Sequence, residues 1–353
     1  MAEKTSSHHA TPGGARIRQC GLGIGSYILV TGLLVFAAQS LGAISSLREN
    51  EVGPFLAVGL TVGALWTFGW GGGEWLAERL AGHPIGADGP RSIRRSIVRA
   101  LIPGIFSGAV YLLLAVPLRA TAPEQLLMYC ALPAALAGMF EALPPGEKLS
   151  WQDLCVLAGL ALPIEYSGLR APRGTDLGGL PKLLLTDIAL YLYVIQRHLP
   201  GIGMDLRVRV RDLFTGLRAW ATFAPIGIGL GLALGFLRWH ARLPGAGPFC
   251  ALMLVSFLFV AVPEEVFFRG LLQNLLLTRL PRRPALALAS VLFGLAHYVH
   301  GPVFNWRYVI LAAIAGGFYG RAWLRDRRVS ASAIAHALVD VVWVTWFLNP
   351  GAL

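Results

Sequence analysis

Charged residues are scarce in this chain: 14% of 353 positions, against roughly 25% in an ordinary soluble domain. So little charge cannot clothe a surface that faces water on all sides. Cysteine is scarce as well. Cys20, Cys130, Cys155 and Cys250 stand alone, with no CxxC pair, and three of them lie in or beside apolar runs. That spacing excludes a disulfide framework and a cysteine-based zinc site. HExxH is missing, as are a repeat of fixed period and a low-complexity tract. Acidic residues number only 19 against 30 Lys and Arg, a formal charge of +11. In a soluble protein that imbalance would suggest nucleic acid, but here it reads as arginine fixing membrane topology, and no nucleic-acid partner is expected.

Apolar sequence is what the chain has in quantity: 55% hydrophobic residues and 42 glycines, with a mean hydropathy of +0.61. A polytopic all-helical membrane protein is the fold class this predicts, since glycine is also commoner in membrane helices than in soluble ones. Runs long enough for the hydrocarbon core occur near 21–43, 54–72, 97–117, 125–143, 219–237, 248–268, 284–299, 305–323 and 330–348, at roughly 17–25 residues per span. Two further stretches, 151–166 and 181–197, are short or interrupted by acids; they read as weak spans or interfacial helices. The expected total is nine to eleven. The first run, about 23 residues, is too long for a signal-peptide core and reads as an anchor.

With the N-terminus in the cytoplasm, the inside segments hold 21 Lys and Arg and the outside segments eight, Arg269 being set aside as part of a motif. The positive-inside rule expects that bias. Four regions follow: a basic cytoplasmic tail at 1–20, an N-terminal membrane block at 21–200, a basic juxtamembrane linker at 201–218 and a C-terminal block at 219–353. The linker's alternating arginines are expected to touch anionic lipid. A plain basic tail without a eukaryotic targeting signal suggests a bacterial inner membrane.

Ionisable groups at bilayer depth are costly, about 2.5–3.5 kcal/mol each, so each needs a reason. In the N-terminal block Glu141, Glu165 and Asp187 lie near the ends of runs or in doubtful spans, where snorkelling suffices. The C-terminal block differs. FCALMLVSFLFVAV (249–262) runs into Pro263-Glu264-Glu265-Val266-Phe267-Phe268-Arg269-Gly270 before apolar sequence resumes. Glu265 and Arg269, four apart with the acid first, make a favourable helical pair. A structural ion pair explains those two and leaves Glu264 over. Pro263 removes a backbone donor and is expected to kink the helix.

His297 closes Phe-Gly-Leu-Ala-His. If the chain reverses at Pro281-Arg282-Arg283-Pro284, Glu265 lies roughly 21 Å before the turn and His297 roughly 20 Å after it, at 1.5 Å per residue. Antiparallel packing then brings them level, while His300 lies further along. His336 and Asp340 share a face of the last run. Carboxylates and imidazoles at one depth suit water activation and oxyanion stabilisation. The same groups can also ligate a divalent metal, with Arg269 restraining Glu265. Composition decides neither. Phe267, Phe268, Tyr298, Trp306, Tyr319 and Trp343 lie nearby and either line a cavity or face lipid.

These residues resemble a known family. PEEVFFRG matches EExxxR, FGLAH matches FxxxH and HALVD matches HxxxN/D, in order, over roughly 248–348. They are similar to the motifs of the CAAX-protease and bacteriocin-processing (Abi) family of intramembrane endopeptidases, which includes the Rce-type prenyl-protein proteases. The resemblance implies a membrane helix bundle with a catalytic cavity in the C-terminal block. Glu264 would activate water with His297, and His336 with Asp340 would stabilise the oxyanion; Glu265 and Arg269 would support. The family's eukaryotic members usually carry Asn where this chain has Asp340, so that position would donate, orient His336 or bind metal. A glutamate-type protease needs no cofactor. A metallo-type one would hold zinc or another divalent metal on Glu264, His297 and His336.

The expected activity is cleavage of a peptide or membrane-protein substrate near the membrane surface. Two other functions fit parts of the pattern. One is an immunity or scaffold protein that keeps the fold without catalysis. The other is a proton-coupled transporter with a Glu/His relay, although such transporters often show inverted repeats and this chain has none. The substrate and the oligomeric state are left open.

Overall fold

The computed structural model describes residues 12–40, 52–81, 93–166, 168–173, 179–240, 245–298 and 305–347, and these contain helices, turns and no strand. The helices, in chain order, are α1 (Pro12–Ser40), α2 (Val52–Gly69), α3 (Gly72–Ala81), α4 (Ile93–Ala115), α5 (Pro123–Ala142) and α6 (Trp151–Glu165). Then come α7 (Leu180–Leu190, continued by a wide turn at Tyr191–Gln196), α8 (Val210–Ala233), α9 (Ala246–Leu276), α10 (Arg282–Ala296), α11 (Trp306–Asp326) and α12 (Val329–Trp346). His300 and the His8-His9 pair lie outside the described residues.

Six of these helices, α2, α4, α5, α8, α9 and α12, are long and apolar enough to cross a membrane. The others predicted to span are shorter or more charged: α6 and α10 have 15 residues each, and α11 carries Arg307, Arg321, Arg325 and Asp326. Of the two readings of 181–197, a weak span or an interfacial helix, the burial favours a helix inside the bundle. Leu183, Leu184, Leu185, Asp187, Ile188, Leu190, Leu192 and Tyr193 are all buried, on every side of α7. A helix that is apolar all round belongs in the middle of a bundle, and α7 packs against α2, α6 and α9.

Sequence on the predicted cytoplasmic side meets at one end of the bundle. The Leu149 amide donates to Thr278 Oγ1 (2.8 Å), and Arg279 Nε donates to the Leu149 carbonyl. At that level Arg328 reaches Asp205 (2.6 Å) and Asp212 (2.9 Å), and Arg211 pairs with Asp326. The juxtamembrane arginines thus have carboxylate partners: Arg207 and Arg209 both pair with Asp205. Segments predicted outside also meet, the His240 amide donating to the Trp346 carbonyl.

Small residues set how closely the C-terminal helices pack. On α12 the run Ser330-Ala331-Ser332-Ala333 is wholly buried, and a Cβ at Gly216 of α8 would lie 2.7 Å from Ile334. Gly294 plays the same part between α10 and α11. Side chains this small let membrane helices come close without a hydrophobic driving force.

Candidate active site

The site begins with an irregularity in α9. Pro263 has no N–H to give to the helical ladder, and the backbone widens to i→i+5 turns on either side, at Ser256–Ala261 and Val266–Gln273. Between them stands one α-helical turn, Val262–Glu265. Wide turns of this kind recur at functional sites because they re-aim the side chains they carry. Here the expected proline kink takes the form of two wide turns, and the turn between them presents Glu264 and Glu265.

Glu265 is fully buried. Its Oε2 lies 3.1 Å from Arg269 Nε, as the spacing of four predicts. Its Oε1 is 2.9 Å from His336 Nδ1, so the ring donates there and α12 is tied to α9. Arg269 is held in turn by the Gly316 carbonyl (3.2 Å) and by aromatic faces, its guanidinium carbon 4.4 Å from the Phe293 centroid and 5.5 Å from that of Tyr319. His336 stacks on Tyr319 at 4.7 Å. A cation boxed by aromatic faces and one carboxylate is stable at this depth without water.

Glu264 points elsewhere, and its partner is a residue that the motifs do not contain. Lys182 Nζ, from α7, donates to Glu264 Oε1 at 2.7 Å. The other oxygen, Oε2, is buried, accepts no hydrogen bond from the described residues and lies 3.7 Å from His336 Nε2. Asp340 Oδ2 is also 3.7 Å from that nitrogen, and accepts a hydrogen bond from Ser256 Oγ (3.1 Å). At 3.7 Å Asp340 is near His336 but past hydrogen-bond reach. The carboxylate that fixes the ring is therefore Glu265.

His297 closes α10 with its Nδ1 2.8 Å from the Phe293 carbonyl. That oxygen can only accept, so Nδ1 carries the hydrogen and, in the neutral ring, Nε2 is the acceptor. The ring packs edge-on against Phe293 and Tyr308, at 4.8 and 4.7 Å.

His297 also lines two cavities. One, of about 690 Å³, lies among α8, α10, α11 and α12 and is walled by Trp220, Phe236, Tyr308, Trp343, His336 and Asp340. The other, of about 670 Å³, is walled by Glu165, Lys182, Phe267, Phe268 and Glu264. The fold thus brings together all six residues singled out from the sequence. Of the aromatic residues, Tyr319 and Trp343 line the first cavity and Phe267 and Phe268 the second, whereas Tyr298 and Trp306 are exposed.

Residues 246–342 match the family model of the Type II CAAX prenyl endopeptidase Rce1-like proteins. This is a CAAX-protease domain. It takes in α9, α10, α11 and most of α12, and so contains every motif residue. No curated protein and no solved structure matches the chain. Six apolar helices of membrane-crossing length, together with this match, support an integral membrane protein.

Three polar residues of the site escaped the sequence reading. Lys182 opens the stretch 181–197, read from the sequence as a weak span or an interfacial helix, and it lies against Glu264. The signal was a lone lysine in the apolar run LPKLLLTDIALYLYV. Ser256 likewise interrupts an apolar run. Tyr308 left no signal, because an aromatic residue near a span end is ordinary.

The surroundings do not fit a divalent metal. Among the described residues no group of three or more His, Cys, Asp or Glu side chains is arranged to hold one. The Lys182 ammonium already occupies one oxygen of Glu264, and His336 Nδ1 is committed to Glu265. A cation beside a proposed cation ligand works against metal binding.

Proposed function

We propose that this protein is an intramembrane endopeptidase of the glutamate type, hydrolysing a peptide bond in an apolar or lipid-modified substrate near the membrane surface. The observation that carries the reading is Glu264 Oε2, buried and accepting no hydrogen bond from the described residues, 3.7 Å from His336 Nε2, beside a cavity that His297 also lines. A water lodged there would give its proton to Glu264 Oε2 while hydrogen-bonding to His297 Nε2. Its oxygen then attacks the scissile carbonyl.

The oxyanion needs a donor. Glu265 takes the hydrogen on Nδ1 of His336, and the doubly protonated ring offers a second on Nε2 to the developing charge. Glu264 would return its proton to the leaving amine. Asp340, held by Ser256, flanks this donor on its far side. Arg269 holds Glu265 in place. Lys182 on Glu264 and the absence of a three-ligand set among the described residues support the glutamate type over the metallo type. The Lys and Arg bias supports an N-in chain, and the segments that meet at each end of the bundle support shorter helices bringing the crossings to nine or more.

The test is cleavage by the full-length protein in liposomes, using a farnesylated CAAX peptide and a library of hydrophobic peptides, read by mass spectrometry. Wild type should cut and Glu264→Gln should lose at least about 100-fold, a typical general-base contribution. Added chelator should change nothing. Cleavage that survives Glu264→Gln would remove Glu264 from the chemistry, and loss on chelation restored by zinc would return the site to the metallo type.

A further inference from the structure

The cavity bounded by Glu264 is walled on its far side by α6 and α7, helices that lie wholly outside the segment 246–342. From them Lys182 reaches a motif residue by a direct polar contact, 2.7 Å from Glu264 Oε1. Its Nζ belongs to a side chain 27% exposed, while the Glu264 side chain is 13% exposed. Lys182 sits in the first turn of α7, a helix packed on all sides, and Thr186 Oγ1 one turn on donates back to the Lys182 carbonyl (2.9 Å). The ammonium is thus presented from a rigid element.

We propose that Lys182 is the positioning residue for Glu264: it holds Oε1 so that Oε2 faces His336, and it keeps the carboxylate charged among apolar walls. This rests on Glu264 being the base. A glutamate side chain has three rotatable bonds, and the motif alone fixes none of them, since Glu265 and not Glu264 takes Arg269. Lys182 fixes the end of the chain by a charge-assisted hydrogen bond, the strong kind. A carboxylate buried without a partner neutralises, and a neutral acid cannot accept the proton of water. The helices before residue 200 therefore complete the catalytic group.

The charged and titratable groups facing this pair are Glu165 from α6, His297 from α10, and His336 and Asp340 from α12. Glu165 shares the cavity with Lys182.

The experiment compares full-length Lys182→Met and Lys182→Arg with wild type and Glu264→Gln on the same liposome substrates, with two readouts. Kinetically, Lys182→Met should lower kcat about 100-fold, the scale of a misplaced catalytic group, with KM little changed, and Lys182→Arg should recover most of the loss. Chemically, a hydrophobic carbodiimide, which modifies neutral carboxyl groups in apolar sites, should label Glu264 in Lys182→Met but not in wild type or Lys182→Arg. Lys182→Met with full activity, beside an inactive Glu264→Gln, overturns the inference and leaves the protease reading standing. Higher activity in Lys182→Met makes the pair a latch and overturns it too. If Lys182→Met fails to fold, Lys182→Arg and the double variant Lys182→Met/Glu264→Gln decide: a folded double variant supports a matched pair, and a double variant that also fails makes Lys182 a packing residue. A wild type that cuts nothing, or a Glu264→Gln variant that still cuts, overturns both readings together.

Discussion

His336 Nδ1 donates to Glu265 Oε1 across 2.9 Å, a bond between residues 71 apart that fastens the last helix to the helix bearing both glutamates. Glu265 also neutralises Arg269, itself only 1% exposed. Removing the acid leaves a buried guanidinium without its counter-charge, at a cost of about 3–5 kcal/mol. Glu265→Ala should therefore melt well below wild type, and Arg269→Met/Glu265→Gln should recover part of the loss. Thermal unfolding in detergent checks this. An unchanged midpoint for Glu265→Ala would mean that the pair does not hold the bundle.

Gly294 lies where α10 crosses α11. A Cβ there would sit 2.5 Å from the Val309 carbonyl oxygen and 2.7 Å from Ala313. Both neighbours belong to a helix and cannot swing aside. Gly294→Ala should lose about 1–3 kcal/mol, the usual penalty for overfilling a packed contact. His297 is three residues on, so cleavage should fall by more than the stability loss alone explains. Gly229→Ala is the control: nothing lies within 4 Å of its Cβ position, and stability should hold or rise slightly because alanine favours helix. Equal melting points for the two variants would contradict this account of the crossing.

The charged members of the site were legible because charge in an apolar run has no cheap explanation. Glu264, Glu265 and Arg269 stand out in 249–276, and His336 and Asp340 in the last run, for that reason. The level of His297 could be read from helix rise alone. The widening of α9 could not, since a proline predicts a kink and does not say how the ladder recovers. Lys182 is missed for another reason. Its partner is 82 residues away, and a lysine near the start of an apolar helix looks the same at a membrane surface as beside a buried acid. The burial of α7 on all sides was equally hidden, because a short run carrying Asp187 resembles an interfacial helix until its neighbours are known.

Asp205, in the loop between α7 and α8, accepts from Arg207 (2.8 Å) and Arg328 (2.6 Å). Burial alone would raise its pKa, but the hydrogen bonds from the two arginines outweigh it and hold the carboxyl below its ordinary 3.8. A lowered folded-state pKa adds stability that is fully present above 3.8 and fades as pH falls below it. Asp205→Asn should therefore melt lower at neutral pH, by about 1–3 kcal/mol for a group that leaves charged partners unmatched. The gap from wild type should narrow only in acid below the ordinary carboxylate value. Melting curves from pH 7 to pH 2.5 measure it, and a gap that stays constant over that range would place the stabilisation elsewhere.

Asp340 occupies the position where eukaryotic members of the resembled family carry Asn, and its surroundings say what the change should do. Its Oδ2 accepts from Ser256 Oγ and lies 3.7 Å from His336 Nε2. An amide oxygen can take over the bond from Ser256, and the amide NH₂ adds a donor on the side of the oxyanion that a carboxylate lacks. If His336 is the oxyanion donor and Asp340 only flanks it, Asp340→Asn should keep its activity or gain some. Asp340→Leu should lose about 10-fold or more, because it strips the site of a polar group beside the developing charge. Ser256→Ala should fall between the two, releasing Asp340 without removing it. Initial rates on the liposome substrates rank the three variants. An inactive Asp340→Asn with an unchanged melting point would show that the negative charge itself is used, and would move Asp340 from flanking His336 to handling the proton.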